Sequence, residues 1–474
     1  MEIFENVRRA IRLVMEKARI PAASLAALSI ANQRETSVAW DKITGLPVCN
    51  AVVWQCSRSE PVCAALSDRR DFIRSRTGLE LSPFFSAGKF KWIAQNAPNA
   101  PELIKQKRLL FGTMDSWLIW KLSGGWRHLT DYTNASRTQL FNIHSLSWDG
   151  DMLELFQIPH EALPEVRFSD EHFGAAVVDG CEVPITGVMG DSHAAFFAQN
   201  CFAAGEAKAT YGTGSSVMMN IGGGEPILSG NGLVTSVGYG VKQKLDYVLE
   251  GNINATGATV KWLSEKMGVA PVHEFEGLAK KAGGNLGVCV VPAFTGLGAP
   301  HWDSGARACI TGLSFQAGRE HIARAGLESI AFQIADVADA MAKDSGRPIR
   351  RLLVDGGPTA NGFLMQFQSD ILPAEIATNR TSALSAAGGM LAAGLAAGFW
   401  RSLEDIRRLR RDGRVYASRM GDAERAALRA QWGDAVAMVC CRRGGAGAQG
   451  MGAAAGGMGA GTQGMGAAVV GMGS

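Results

Sequence analysis

Two features of this sequence have the residue types and spacing to do chemistry together, a carboxylate at the end of a buried run and a glycine turn that follows it. Ile185–Met189 is mostly apolar and reads as a buried strand. It ends in Gly190-Asp191, and Ser192 to Phe197 reads as the start of a helix. Such a junction sets Asp191 at the carboxyl edge of a sheet, where open α/β sheets bind ligands. Further along, Ala209-Thr210-Tyr211 and Val217-Met218-Met219 flank Gly212-Thr213-Gly214-Ser215-Ser216, a strand, a turn and a second strand. Glycine lets such a turn aim backbone N–H groups and hydroxyls at phosphate oxygens. A carboxylate that can take a proton from a hydroxyl, beside a loop that can hold phosphates, is the minimum equipment for phosphoryl transfer. A plainer description fits the same residues, with Asp191 capping a helix ahead of an ordinary hairpin.

The elements that must position these groups are legible at low resolution. The chain has 474 residues, enough for two or more domains with their own cores. Ile3, Val7, Ile11, Val14 and Ala18 have helical spacing and predict an amphipathic helix over residues 2–18. Leu25–Ile30 predicts a strand with Asn32–Glu35 at its carboxyl end, and Val52-Val53-Trp54 predicts another. Thr256-Gly257-Ala258 opens a helix through Trp262. Leu352 to Asn361 reads as a strand, a glycine turn and a helix N-terminus.

Composition narrows the class. The chain is 47% hydrophobic and 19% charged, and a net charge of +3 is too small to argue for nucleic acid or an anionic membrane surface. Nine cysteines without a CxxC pair read as free thiols. No apolar run approaches the ~20 residues of a membrane span. Arg8, Arg9 and Arg12 are offset by Glu2, Glu5 and Glu16, against a transit peptide, so a cytoplasmic location is expected. The arginines of Ile406–Arg414 read as a solvated helix face. Residues 439–474, Gly/Ala/Met-rich from Gly444 on and repeating Gln-Gly-Met-Gly-Ala, predict a disordered tail, and removal of Gly444–Ser474 is expected to leave the melting temperature unchanged.

The same stretch, read with Asn32-Gln33-Arg34-Glu35-Thr36, Val53-Trp54-Gln55, Asp131 to Thr138, Phe294 to Pro300 and Val354-Asp355-Gly356-Gly357, resembles the FGGY carbohydrate kinases from Met1 to about Met438. The resemblance implies an α/β fold of two actin/hexokinase-type (ribonuclease H-like) domains around a cleft. Residues 1–202 would bind the substrate and 203–438 the nucleotide. It implies ATP and Mg²⁺ as cofactors and a small polyol as acceptor, glycerol foremost. Asp191 would be the general base and lie close to the metal. Arg34 and Glu35 would grip hydroxyls, the one donating in a fork and the other accepting. Trp54, Phe84 and Ser192 would line the polyol. Thr213 and Gly214 would hold phosphate, Gly257 and Lys261 would lie near the nucleotide phosphates, and Gly357 and Asn361 near adenine. Asp131–Thr138 is assigned mainly to structure. Neither nucleic acid nor membrane is implied as a partner, and self-association stays open.

The sequence also departs from the family pattern. The family's Asp-x-Gly-Thr loop does not occur ahead of the first helix, which predicts a first-domain sheet lacking interior strands, unpaired edges, poor solubility and little turnover. Pro83-Phe84-Phe85-Ser86, Gly190-Asp191-Ser192-His193 and Ser216 replace a phenol, an amide and a ring found in glycerol-phosphorylating members. Those changes open one alternative, a kinase for a larger polyol or ketose such as erythritol or xylulose, and the absent loop opens another, a non-catalytic remnant that binds polyol or partner subunits without turnover.

Overall fold

The computed structural model describes residues 1–381, 383–440 and 468–473. Those that build and position the cleft run in chain order as follows. Helix α1 (Glu2–Ala18), strand β1 (Leu25–Asn32) and helix α2 (Ser86–Asn96) precede β2 (Ala175–Val178), β3 (Cys181–Gly190) and α3 (Asp191–Ala198). Next come β4 (Ala207–Tyr211), β5 (Ser215–Gly222), β6 (Val234–Val241), β7 (Lys244–Ile253) and α4 (Gly257–Glu265). The long α5 (Arg319–Ser345) leads to β8 (Arg351–Asp355), α6 (Gly362–Ile371), β9 (Glu375–Asn379) and α7 (Leu384–Ala396). The last elements are α8 (Leu403–Arg407), β10 (Asp412–Tyr416), α9 (Asp422–Cys440) and β11 (Ala468–Gly473).

Two sheets organise the described residues. The first has the order β11-β1-β3-β2, and the second β6-β7-β5-β4-β8-β9-β10. In the first, β1 and β3 are parallel, with Asn32 opposite Gly190. In the second, β4 and β8 are parallel, with Thr210 opposite Asp355. These registers matter for function, because residues just past parallel strands emerge at one edge. Arg34 and Asp191 therefore leave the first sheet together, and Gly212 and Gly356 leave the second together.

Helix α1 buries Val7, Ile11 and Met15 against the first sheet, whereas Val14 is exposed. The buried stripe follows i, i+4 steps from Val7, so the predicted Val14 and Ala18 fall off its far side. Val52-Val53-Trp54 is not a strand. Val52 makes only an isolated bridge to Ser37, and Trp54 lies in a turn. Helix α7 packs against α3 and the first sheet, and its glycines make that possible: a Cβ at Gly388 would overlap the carbonyl oxygen of Ala194. A shared core of Phe196, Phe197, Met218, Leu353 and Leu391 thus ties the two sheets through α3.

The outer edge of β1 is paired, contrary to the expectation of bare edges. β11 runs antiparallel along it, from Ala31 opposite Ala468 to Leu25 opposite Gly473. Within the expected tail, β11 occupies Ala468–Gly473, and Val439 and Cys440 continue α9. Residues 441–467 and 474, on which the rest of that expectation falls, lie outside the described residues. An edge strand is a row of unmet backbone donors and acceptors until another strand covers it. Deleting residues 468–474 should lower the melting temperature, by roughly 2–4 °C for each kcal/mol of pairing lost, and raise light scattering on heating. An unchanged melting curve would show that β11 contributes nothing to the sheet.

Candidate active site

The cleft lies between the carboxyl edges of the two sheets, and its floor is a buried charge network. Arg34, just past β1, donates through both Nη atoms to Glu250 of β7, each bond 2.9 Å long. Arg137 reaches Glu250 at 2.9 Å and donates from Nε to Glu35 Oε1 at 2.7 Å. Ser216 Oγ donates to Glu250 Oε1 at 2.9 Å. Arg137 and Glu250 are fully buried, and Arg34 and Glu35 nearly so. Burial alone would push the Glu250 carboxyl up, but the Arg137 and Arg34 guanidiniums outweigh it and hold it well below the usual carboxylate range. For Arg34, desolvation is likewise outweighed by Glu250 and Glu35, and its pKa rises further.

Arg34 also sets the state of His193. Arginine can only donate, so the contact of 3.3 Å between its Nη1 and His193 Nδ1 requires that Nδ1 accept. Burial, then Arg34, keep the imidazole neutral, well below its ordinary pKa. Its proton therefore sits on Nε2, 3.4 Å from Ser236 Oγ.

Asp191 is the first residue of α3. Its Oδ1 accepts the Ser192 N–H at 2.7 Å and lies 3.7 Å from Arg34 Nε. Its side chain keeps 36% of its surface exposed, unlike the acids below it. Desolvation raises its pKa; Arg34 opposes the rise and Glu35 adds to it. Gly190 N donates to Thr133 Oγ1 at 2.9 Å, which anchors the junction on the Asp131 turn.

The aromatic side of the pocket comes from Trp54 and Phe84, whose rings meet edge to face at 5.6 Å. Lys89 of α2 is buried beneath them and donates to the carbonyls of Phe84, Phe85 and Glu35. Desolvation pulls its pKa down to about 8, against the opposing charge of Glu35. Glu35 has a φ of 58°, a left-handed conformation, and the Lys89 and Ser86 contacts to its carbonyl hold it there.

Across the cleft, the Gly212-Thr213-Gly214 turn docks on the start of α4. Thr256 N and Ala258 N donate to Thr213 O, and Gly257 N donates to Gly212 O at 3.0 Å. A Cβ at Gly257 would sit 2.5 Å from Gly212 O, so this approach needs glycine. Gly357 differs, since a Cβ there would meet open space. Asn361 caps α6 by accepting the Leu364 N–H at 2.9 Å. Lys261 is 69% exposed and pairs loosely with Glu265 at 3.8 Å.

The structure thus joins Arg34, Glu35 and Asp191 in one cluster, Trp54 with Phe84, and Thr213 and Gly214 with Gly257. Sequence reasoning missed Glu250, Arg137, His193 and Lys89. Glu250 had a local signal, an acid directly after the apolar run Tyr247-Val248-Leu249. Arg137 sits in the stretch assigned to structure, yet it connects Glu35 to Glu250. Glu250→Ala would leave two buried guanidiniums without their shared anion, which typically costs about 3–5 kcal/mol. Urea titration should show that loss, and a change under about 1 kcal/mol would mean that water satisfies both arginines.

Comparison with protein-family models matches residues 1–198 to the N-terminal domain of the FGGY family of carbohydrate kinases, and residues 207–397 to its C-terminal domain. The glycerol kinase of Shewanella frigidimarina is 44% identical over 442 residues, covering 93% of this chain and 89% of that protein. That of Shewanella amazonensis is 45% identical over 92% of this chain and 89% of its own length. Among solved structures, Plasmodium falciparum glycerol kinase with ADP superposes with a TM-score of 0.87 at 36% identity, over 93% of this chain and 88% of that one. The gluconate kinase of Lactobacillus acidophilus, with a TM-score of 0.82 at 20% identity, shares the fold.

Proposed function

The chain belongs to the FGGY family of carbohydrate kinases, and on that premise we propose that it phosphorylates glycerol with ATP. The observation that carries this reading is the placement of Asp191. It is a partly exposed carboxylate beside the buried Arg34–Glu250–Arg137–Glu35 network, at the carboxyl edge of the first sheet.

In this reading residues 1–202 hold the polyol and 203–438 the nucleotide. Asp191 accepts the proton of the attacking hydroxyl. With two bonds spent on Glu250, Arg34 keeps its Nε–H and a further N–H for hydroxyl oxygens, and Glu35 keeps Oε2 to accept one. Trp54 and Phe84 cover the carbon side of the polyol, and Ser192 borders it. Thr213 and Gly214 hold phosphate, with Gly257 and Lys261 beside them. Gly357 and Asn361 border the adenine, where the open space next to Gly357 leaves room for it. Mg²⁺ bound with the nucleotide supplies charge neutralisation at the phosphates, and Asp191 would hold it. A lone carboxylate suits Mg²⁺, which takes one or two carboxylates plus phosphate oxygens. Among the described residues no group of three or more His, Cys, Asp or Glu side chains could hold a metal alone.

Ser216, at the position of an aromatic ring, donates to Glu250 and so belongs to the network. The glycerol kinases at 44–45% identity favour glycerol over a larger acceptor. No helix among the described residues is long and apolar enough to cross a membrane. The proposed place of the reaction is the cytoplasm, where ATP is supplied.

The direct test is ADP release with glycerol, erythritol and xylulose in parallel. Glycerol-dependent release is expected; release that ignores the acceptor, or that needs xylulose, would contradict the assignment. Asp191→Asn should lower kcat by ~10²–10⁴-fold while ATP still binds, because the amide cannot accept the proton. The raised pKa of Asp191 also sets the pH dependence. The base is lost as pH falls through a pKa above the ordinary aspartate value, so the acid limb of kcat/KM should lie above that value. An acid limb at or below it would remove Asp191 from this role.

A further inference from the structure

A cavity of about 670 Å³ lies away from the cleft, where β4 and β8 meet the end of α3 and the connection from α8 to β10. Five arginines line it, against only two acids, Glu206 and Asp412. Both acids are already engaged. Glu206 takes a bidentate pair from Arg407 at 2.8 and 3.1 Å. Asp412 is shared by Arg351 at 2.5 Å and Arg410 at 2.7 Å. Arg347 and Arg350 make no ion pair among the described residues.

Arg410 is the most telling member. Its side chain is only 11% exposed, and its Nε and Nη2 are buried with no hydrogen-bond partner among the described residues. A guanidinium in that state costs free energy unless an anion meets its open donors. Desolvation already pulls its pKa below the ordinary arginine value. The run of arginines in Ile406–Arg414, which reads as a solvated face in the sequence, is therefore turned in part toward a concave site.

We propose that this cavity is a second ligand site, which takes a small phosphorylated molecule. Its volume falls within the range of ordinary ligand pockets, about 300–1,000 Å³. Its open donors are the N–H groups of forked guanidiniums, which suit the several acceptor oxygens of a phosphate. None of its lining residues belongs to the cleft network. Two strands connect the sites: β4 runs from Ala207 in the cavity to Tyr211 at the phosphate turn, and β8 from Arg351 to Asp355. Gln199 lines the cavity at the end of the helix that Asp191 begins, and donates to Asp355 Oδ2 at 3.3 Å.

The test is calorimetric titration of the full chain with inorganic pyrophosphate, beside malonate as a dicarboxylate of similar size. Pyrophosphate should bind, and the exposed double variant Arg347→Ala/Arg350→Ala should weaken it by roughly tenfold or more. Arg410→Met should weaken it comparably, and the double variant keeps the test valid if Arg410→Met does not fold. Malonate should bind roughly tenfold more weakly. No heat with pyrophosphate, or equal binding by the double variant, would overturn the site. Equal binding of malonate would overturn its assignment to phosphate.

Discussion

The bidentate pair between Arg34 and Glu250 is the constraint on which the cleft depends. It joins the end of a strand in the first sheet to the middle of a strand in the second, and it is buried. Two charges out of water are tolerable only when each is met on most sides. That requirement draws in the rest: Arg137 and Ser216 on Glu250, His193 on Arg34, and Glu35 on Arg137. Each partner fixes a neighbour of Asp191, the base under the proposed function. Arg34 stands beside Asp191, and Glu35 carries the left-handed turn that Lys89 and Ser86 support.

The backbone does the coarser positioning. Parallel pairing of β1 with β3 and of β4 with β8 brings out at one edge what the sequence separates widely. Arg34 and Asp191 meet because Asn32 lies opposite Gly190, not because of anything local to either residue. The tight packing of α7 on α3, through Gly388 against Ala194, then sets the separation of the sheets. Catalysis by positioning depends on such rigidity, since phosphoryl transfer draws most of its acceleration from placement and charge.

Much of this was legible in the sequence, and what was not has physical causes. The strand, junction and helix around Asp191 and the glycine hairpin after it are local patterns, and they formed where expected. Glu250 and Arg137 were hidden because their meaning is long-range: each is a charge inside an apolar or turn segment whose partner arrives from another sheet. Three apolar residues in a row at Val52-Val53-Trp54 suit a strand, yet the chain turns there after a single bridge. The tail is mostly glycine and alanine, and Val469-Val470 is too short a run for hydrophobic patterning to mark β11. Backbone pairing, which any residue but proline can supply, forms it.

The coupling between Arg34 and Glu250 holds the two sheets in register at the cleft. A double-mutant cycle with Arg34→Met and Glu250→Leu, read both as unfolding free energy and as KM for glycerol, tests it most directly. The double variant should lose less than the two single variants combined, with a coupling of roughly 0.5–3 kcal/mol, and either single change should raise KM. Additive losses, or single variants with unchanged KM, would contradict it.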